Sequence, residues 1–201
     1  MSFSPSSASA KRRHALLDRF RKASQEPEGL FSYPTGAQGL RGLGYPDRLL
    51  SLLPATVQHF YCGVGNPFLP GLPRPGESVL DIGCGAGVDT LLAAVGCGNG
   101  VVHGVDLSLE MLERARANAR LVHSGNVFFA RASAQALPYA DESFDLVISN
   151  GVFNLVEDKP QALAEVHRVL RPGGRVHVAD QVQTEQPVAC AWSPGGENWA
   201  C

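Results

Sequence analysis

The sequence predicts an α/β fold, a doubly wound parallel sheet behind a small N-terminal helical cap. Two observations predict it. From Ser78 onward, short apolar runs alternate with amphipathic stretches, the pattern of strands joined by helical crossovers. The first of these runs, Ser78-Val79-Leu80-Asp81-Ile82, leads straight into Gly83-Cys84-Gly85-Ala86-Gly87, which reads as a buried strand, a tight turn and a helix start.

The elements follow in order. Residues 1–10 are Ser-rich and read as a disordered tail, without the apolar core of a signal peptide. Residues 11–25 predict a helix, with Ala15, Leu16, Phe20 and Ala23 near one face and cations on the other. Residues 27–45 are loop-like. Pro46–Leu53 and Pro54–Tyr61 predict two short helices, each opened by proline. These pieces form the cap, residues 11–70. The main domain is assigned to residues 71–186. Four prolines and two glycines between Pro67 and Gly76 rule out regular structure at its entry. Beyond it the spacing predicts strand 78–82, helix 88–96, strand 101–105, helix 108–122, strands 126–130 and 144–149, helix 158–170 and strand 174–180. Ser108 and Asp158 are the N-cap candidates, and Pro172-Gly173-Gly174 the stop of the last helix.

Composition narrows the function. A chain of 201 residues with 44% hydrophobic residues can bury a real core. A net charge of −2, without a basic block beyond the first helix, argues against a nucleic-acid partner. No apolar run approaches a membrane span. Five cysteines without close pairing, and no signal peptide, point to free thiols in a reducing, cytoplasmic setting. The histidines are scattered and show no metal-ligand spacing.

The glycine turn lets a ligand approach the backbone closely. It is not a dinucleotide fingerprint, because the third glycine position falls on Val88. Asp81 would repel a pyrophosphate but suits a ligand with an amino group and a sulfonium charge, as in S-adenosylmethionine (SAM). Asp106 ends the second strand, 25 residues after Asp81, where a carboxylate can accept both ribose hydroxyls. Asn150 closes the strand at 144–149 and faces the same end of the sheet.

Taken as a set, these residues resemble class I SAM-dependent methyltransferases, a Rossmann-like fold. The matching pieces are Val79–Gly87, Gly104-Val105-Asp106, Ser143–Asn150 and Arg168–Arg175. The resemblance implies SAM as cofactor, with Gly83, Gly85 and Gly87 under its methionine moiety and Asp81, Leu107 and Asn150 in the same site. Asp106 would meet the ribose, and Ser133-Ala134 would flank the adenine. Many members carry an acid at position 133, and this chain has serine.

A narrower resemblance is to the arsenite methyltransferase group. It rests on Tyr61-Cys62-Gly63, on Ile148–Lys159 and on the ending Trp199-Ala200-Cys201. It implies a trivalent arsenical substrate held by Cys62 and Cys201, with a thiol reductant as partner; thiolates suit a soft arsenic centre. Position 151, often cysteine in that group, is glycine here. The rival expectations are a methyltransferase acting on carbon or oxygen of a quinone- or polyketide-like metabolite, and a SAM-binding protein without catalysis. A nicotinamide oxidoreductase is more remote. The resembled fold has seven strands and the sequence supplies five. Only 21 residues follow Asp180, and residues 187–201 read as an irregular tail, so the sequence predicts a shortened version of that fold with an open edge on its fifth strand.

Overall fold

The computed structural model describes residues 7–182. It contains one five-stranded, all-parallel sheet in the order β3-β2-β1-β4-β5. The strands are β1 (Ser78–Ile82), β2 (Val101–Asp106), β3 (Val127–Arg131), β4 (Phe144–Asn150) and β5 (Leu170–Ala179). The chain leaves β1 towards β2 on one side and returns to β4 on the other. That reversal opens a crevice at the strand C-terminal ends, where open α/β sheets bind ligands.

The sheet is covered on both faces, so its central strands are nearly continuous apolar runs. Successive residues of β1 serve opposite cores. Val79 packs with Leu91, Leu92, Val102 and Leu146 on one face. Leu80 and Ile82 pack with Val147, Val166 and Val169 on the other. The covering helices on these faces are α5 (Val88–Cys97) and α7 (Lys159–Val169), while α6 (Leu109–Leu121) lies along β2 and β3. Ser108 caps α6 by accepting from the Met111 N–H at 3.2 Å, and Asp158 caps α7 by accepting from the Gln161 N–H at 3.0 Å.

Four helices precede the sheet. They are α1 (Ser7–Ala23), α2 (Gly36–Gly42), α3 (Asp47–Leu50) and α4 (Ala55–Gln58). Helix α1 begins at Ser7, inside the stretch expected to be a tail. Helix α2 falls within the stretch expected to be loop, where its glycines mask the pattern. Gly39 has a packing reason to be glycine, because a side chain there would run into the Pro34 carbonyl. The two prolines stand one place outside their helices, at the N-cap. Leu40, Tyr45, Leu50, Leu53 and Val57 belong to the same core as Val79 and Leu92. The cap and the sheet therefore share one core across the Pro/Gly-rich entry at residues 67–76.

Strand β5 starts earlier than the sequence predicts. Leu170 pairs with Phe144 and Arg175 with Leu146, so Arg171–Gly174 bulge out between two paired stretches. The base of the strand is pinned by a two-pronged ion pair, Arg175 with Glu77, at 2.6 Å for both bonds. Among the described residues β5 pairs on one side only, with β4. Cys190, Cys201 and the expected tail lie outside the described residues.

Leu146 is fully buried in the central strand β4. Leu146→Ala should cost about 2–5 kcal/mol of stability, read as a lower urea midpoint with unchanged slope. A loss below about 1 kcal/mol would contradict a close-packed core at that point.

Candidate functional site

A cavity of about 510 Å³ opens at the C-terminal ends of β1, β2 and β4. Its floor is the turn after β1. Its walls are the ends of β2 and β4 and the loop carrying Cys62. Helix α1 and residues 30–33 form the roof through Leu16, Phe20, Phe31 and Tyr33. The roof is held by Arg114 of α6, whose Nε donates to the Ser24 carbonyl at 2.9 Å and whose guanidinium lies 4.1 Å over the Phe60 ring.

The glycine turn is stapled to β2. The N–H groups of Gly83 and Cys84 both donate to the Val105 carbonyl, at 2.8 and 2.9 Å. The three glycines have positive φ, +72°, +50° and +81° in order, but different surroundings. A Cβ on Gly83 would strike Val152. One on Gly85 would meet nothing within 4 Å. One on Gly87 would press on Ala115 at 3.1 Å and on the Phe129 ring at 3.2 Å. Gly83 and Gly85 line the cavity. Gly87 is close-packed against Ala115 of α6 and Phe129 of β3, which leaves no room for a side chain there.

Three carboxylates converge here. Asp81 is 2% exposed and accepts from the Thr90 hydroxyl at 2.6 Å. Asp89, in the first turn of α5, accepts from the Tyr45 hydroxyl at 2.7 Å and from the Asn150 amide at 2.9 Å. Asp106 accepts from the Gly85 N–H at 2.9 Å and the Ser108 N–H at 2.8 Å. Burial pushes Asp81 up to about 8, and the charges of Asp89 and Asp106 add to the shift. Burial pushes Asp89 up to about 6 against its bonds to Tyr45 and Asn150, and it raises Asp106 as well. A cationic ligand entering this cavity would relieve that cost of ionisation. A ligand with an ammonium, a sulfonium and a ribose diol fits the three acids and the open face at Gly85.

The remaining expected residues are distributed as follows. Leu107, Ser133 and Ala134 line the cavity. Ser133 accepts from the Gln135 N–H at 3.2 Å. Asn150 also lines it, but its amide is spent on the chain: it accepts from the N–H groups of Val64 and Gly65 and donates to Asp89. Cys62 is half-buried in the wall, its carbonyl taking the Tyr33 hydroxyl at 3.0 Å. Burial, with Asp106 and Asp89 nearby, pushes its thiol up to about 12, so it rests protonated. Cys84 lines the same cavity, with its thiol likewise raised by burial. Gly151 has φ +71° and donates to the Ala179 carbonyl at 2.8 Å; a Cβ there would stand 3.2 Å from Val64. A cysteine at 151 would thus need a backbone that L side chains rarely adopt. Sequence reasoning missed Asp89 and the aromatic roof. An acid in a helix's first turn reads as ordinary dipole compensation, and Phe31 and Tyr33 sit in an aperiodic loop.

Comparison with known proteins agrees with this geometry. A family model described as a methyltransferase domain matches residues 73–199. An arsenite methyltransferase of Halobacterium salinarum is 44% identical over 158 residues, covering 78% of this chain and 40% of that protein. A ubiquinone/menaquinone biosynthesis C-methyltransferase of Hahella chejuensis is 44% identical over 119 residues, covering 57% and 47%. Among solved structures, an arsenic(III) S-adenosylmethionine methyltransferase from Chlamydomonas reinhardtii superposes with a TM-score of 0.59 at 37% identity, covering 74% of this chain and 50% of that one. The chain thus spans about half the length, or less, of these relatives. Among the described residues, no helix is long and apolar enough to cross a membrane. With a parallel sheet, a glycine turn and acids at the ends of β1 and β2, the chain belongs to the methyltransferase domain family, with the Rossmann-like fold of SAM-dependent enzymes.

Proposed function

We propose that this chain transfers a methyl group from SAM to a soft acceptor, trivalent arsenic, within the cavity under α1. The observation that carries the reading is the meeting of Asp81, Asp106 and a cavity-lining Cys62 at one end of the sheet. Similarity to arsenite methyltransferases over most of the chain supports the acceptor.

When bound, SAM supplies a methyl group on a positively charged sulfur, open to in-line displacement. The chain's own residues have four tasks. Asp81 takes the ammonium group, ionising as it does so. Asp106 keeps lone pairs beyond its two backbone bonds and accepts from the ribose hydroxyls. Leu107, Ser133 and Ala134 bound the adenine. Cys62 holds arsenic, its proton leaving with the ligand that the thiol displaces; Cys201, outside the described residues, is the second thiol of this reading. A lone pair on arsenic needs no general base, in keeping with a cavity wall that, among the described residues, offers carboxylates and aromatics but no histidine. The roof of α1 and Phe31 excludes water, and holding the partners in line accounts for the rate.

A second reading has its own support. Phe20, Phe31, Tyr33 and Phe60 make one side of the cavity aromatic, and Gly151 stands where arsenic methylators often carry cysteine. Both features suit a flat carbon or oxygen acceptor such as a quinone.

Two measurements test the proposal. With SAM, arsenite and a thiol reductant, the protein should form methylated arsenicals, and Cys62→Ser should lower the rate by about tenfold or more. Full activity of that variant, or methylation of a quinone-like acceptor alone, favours the second reading. Proton release tests the cofactor site. Asp81 has its folded value raised from 3.8 to about 8. Its contribution to stability is therefore complete below 3.8 and is lost as pH rises through about 8. At about pH 7 the empty site holds a proton that an ammonium group expels, so SAM binding should release close to one proton, read by calorimetry in buffers of different ionisation enthalpy. Asp81→Asn should abolish the release and weaken binding by about tenfold or more. Binding heats that ignore the buffer would remove Asp81 from the site.

A further inference from the structure

Asn150 ends β4 and reaches across to the loop that carries Cys62. Its Oδ1 accepts from the backbone N–H groups of Val64 and Gly65, each at 3.0 Å. Its Nδ2 faces the Gly65 carbonyl at 2.8 Å, Asp89 Oδ2 at 2.9 Å and the Tyr61 hydroxyl at 3.1 Å. A side-chain amide has two donor hydrogens and two acceptor lone pairs, so nothing is left for a ligand. The surroundings also dictate which way the amide points. Reversed, it would set its N–H₂ against two N–H donors and its oxygen against a carboxylate.

The partners of this amide are themselves held. The Tyr45 hydroxyl donates to Asp89 Oδ1 at 2.7 Å, and the Tyr61 hydroxyl donates to the Gly65 carbonyl at 2.6 Å. Tyr45 is 3% exposed and Asp89 is 7% exposed, so these bonds form away from solvent, where leaving one unmade is costly. Gly63, directly after Cys62, has no room for a side chain. A Cβ there would collide with the Asn150 amide and stand 2.6 Å from the Tyr61 hydroxyl oxygen. The stretch after the thiol is therefore gripped at Val64 and Gly65 and closely packed at Gly63. Before it, Tyr33 holds the Cys62 carbonyl.

We infer that Asn150 is a positioning residue for Cys62: through Val64 and Gly65 it sets where the thiol stands in the cavity, and through Asp89 it ties that placement to the first turn of α5, directly after the cofactor loop. The importance of that placement rests on the arsenic-holding role proposed for Cys62, but the placement can be tested without methyl transfer. The grip also gives the Asn at the end of β4 a task other than the cofactor contact expected from sequence.

The test is the alkylation rate of individual cysteines in the full chain, measured with iodoacetamide and peptide-resolved mass spectrometry. In Asn150→Ala the rate at Cys62 should rise about tenfold, while Cys84 and Cys97 stay within about twofold of the native rates, because access governs the reactivity of a neutral buried thiol. Asn150→Asp keeps an acceptor for Val64 and Gly65 but turns its second oxygen on the Gly65 carbonyl and on Asp89, so the Cys62 rate should rise there too. Asp89→Asn leaves the Asn150 amide on Val64 and Gly65, with an amide oxygen at 89 still able to accept from it, and should keep Cys62 within about threefold of native. If Asn150→Ala does not fold, the comparison of these two variants decides. The inference is overturned by an unchanged Cys62 rate in a folded Asn150→Ala, or by an equal rise at all three cysteines. It is also overturned by equal Cys62 rates in Asn150→Asp and Asp89→Asn, or by loss of SAM affinity with Cys62 unaffected, which would return the amide to the cofactor. Arsenite methylation surviving Cys62→Ser would remove the acceptor reading and leave the alkylation result standing.

Discussion

A carboxylate buried at the end of a central parallel strand is the constraint around which this structure is arranged. Asp81 lies one residue before the end of β1, is almost fully buried, and has Asp89 and Asp106 as charged neighbours. Without a cation beside it, burial favours its protonated form. Each feature around it follows from the sheet's reversal between β2 and β4, which leaves strand ends without a covering helix. The backbone bonds that anchor Asp106 to Gly85 and Ser108 are also the bonds that shape the glycine turn. Binding chemistry and local folding thus share the same groups, and a change at either acid would disturb both.

The helical cap is the second half of the site rather than an attachment to it. Its small helices are too short to be stable alone. They persist because Leu40, Tyr45, Leu50 and Val57 are buried in the same core as β1 and α5. Helix α1 is tied separately, through Ala23 packed with Ala86 and Met111 and through Arg114 on the Ser24 carbonyl. The roof is also tied to the wall, through the Tyr33 hydroxyl on the Cys62 carbonyl and through Phe20 and Phe31 packed in one cluster with Phe60 and Cys62.

The acceptor is where local backbone geometry bears most on function. Gly151 sits in the left-handed region, next to Val64 and bonded to β5. The same turn that makes glycine comfortable there carries the amide of Asn150 towards the Cys62 loop. A thiol at 151 would therefore come with a different turn. Cys62 with its neutral thiol, Cys84 and the aromatic roof line the same cavity.

The sequence by itself determined the sheet, its order of strands and helices, the caps at Ser108 and Asp158, and the acids at the ends of β1 and β2. These are carried by periodicity, by an acid interrupting an apolar run and by glycine spacing, all of which are local. It did not determine α2, whose glycines imitate a loop, or the early bulged start of β5, whose Pro-Gly-Gly looks like a plain stop. It treated Gly83, Gly85 and Gly87 alike, because only the neighbours brought by α6 and β3 distinguish a glycine facing a cavity from one packed against them. Asn150 could be placed at a strand end from sequence, but its partners Val64 and Gly65 lie 86 and 85 residues away along the chain. Which atoms an amide satisfies at that separation depends on how the cap docks on the sheet, and that was decided by tertiary packing alone.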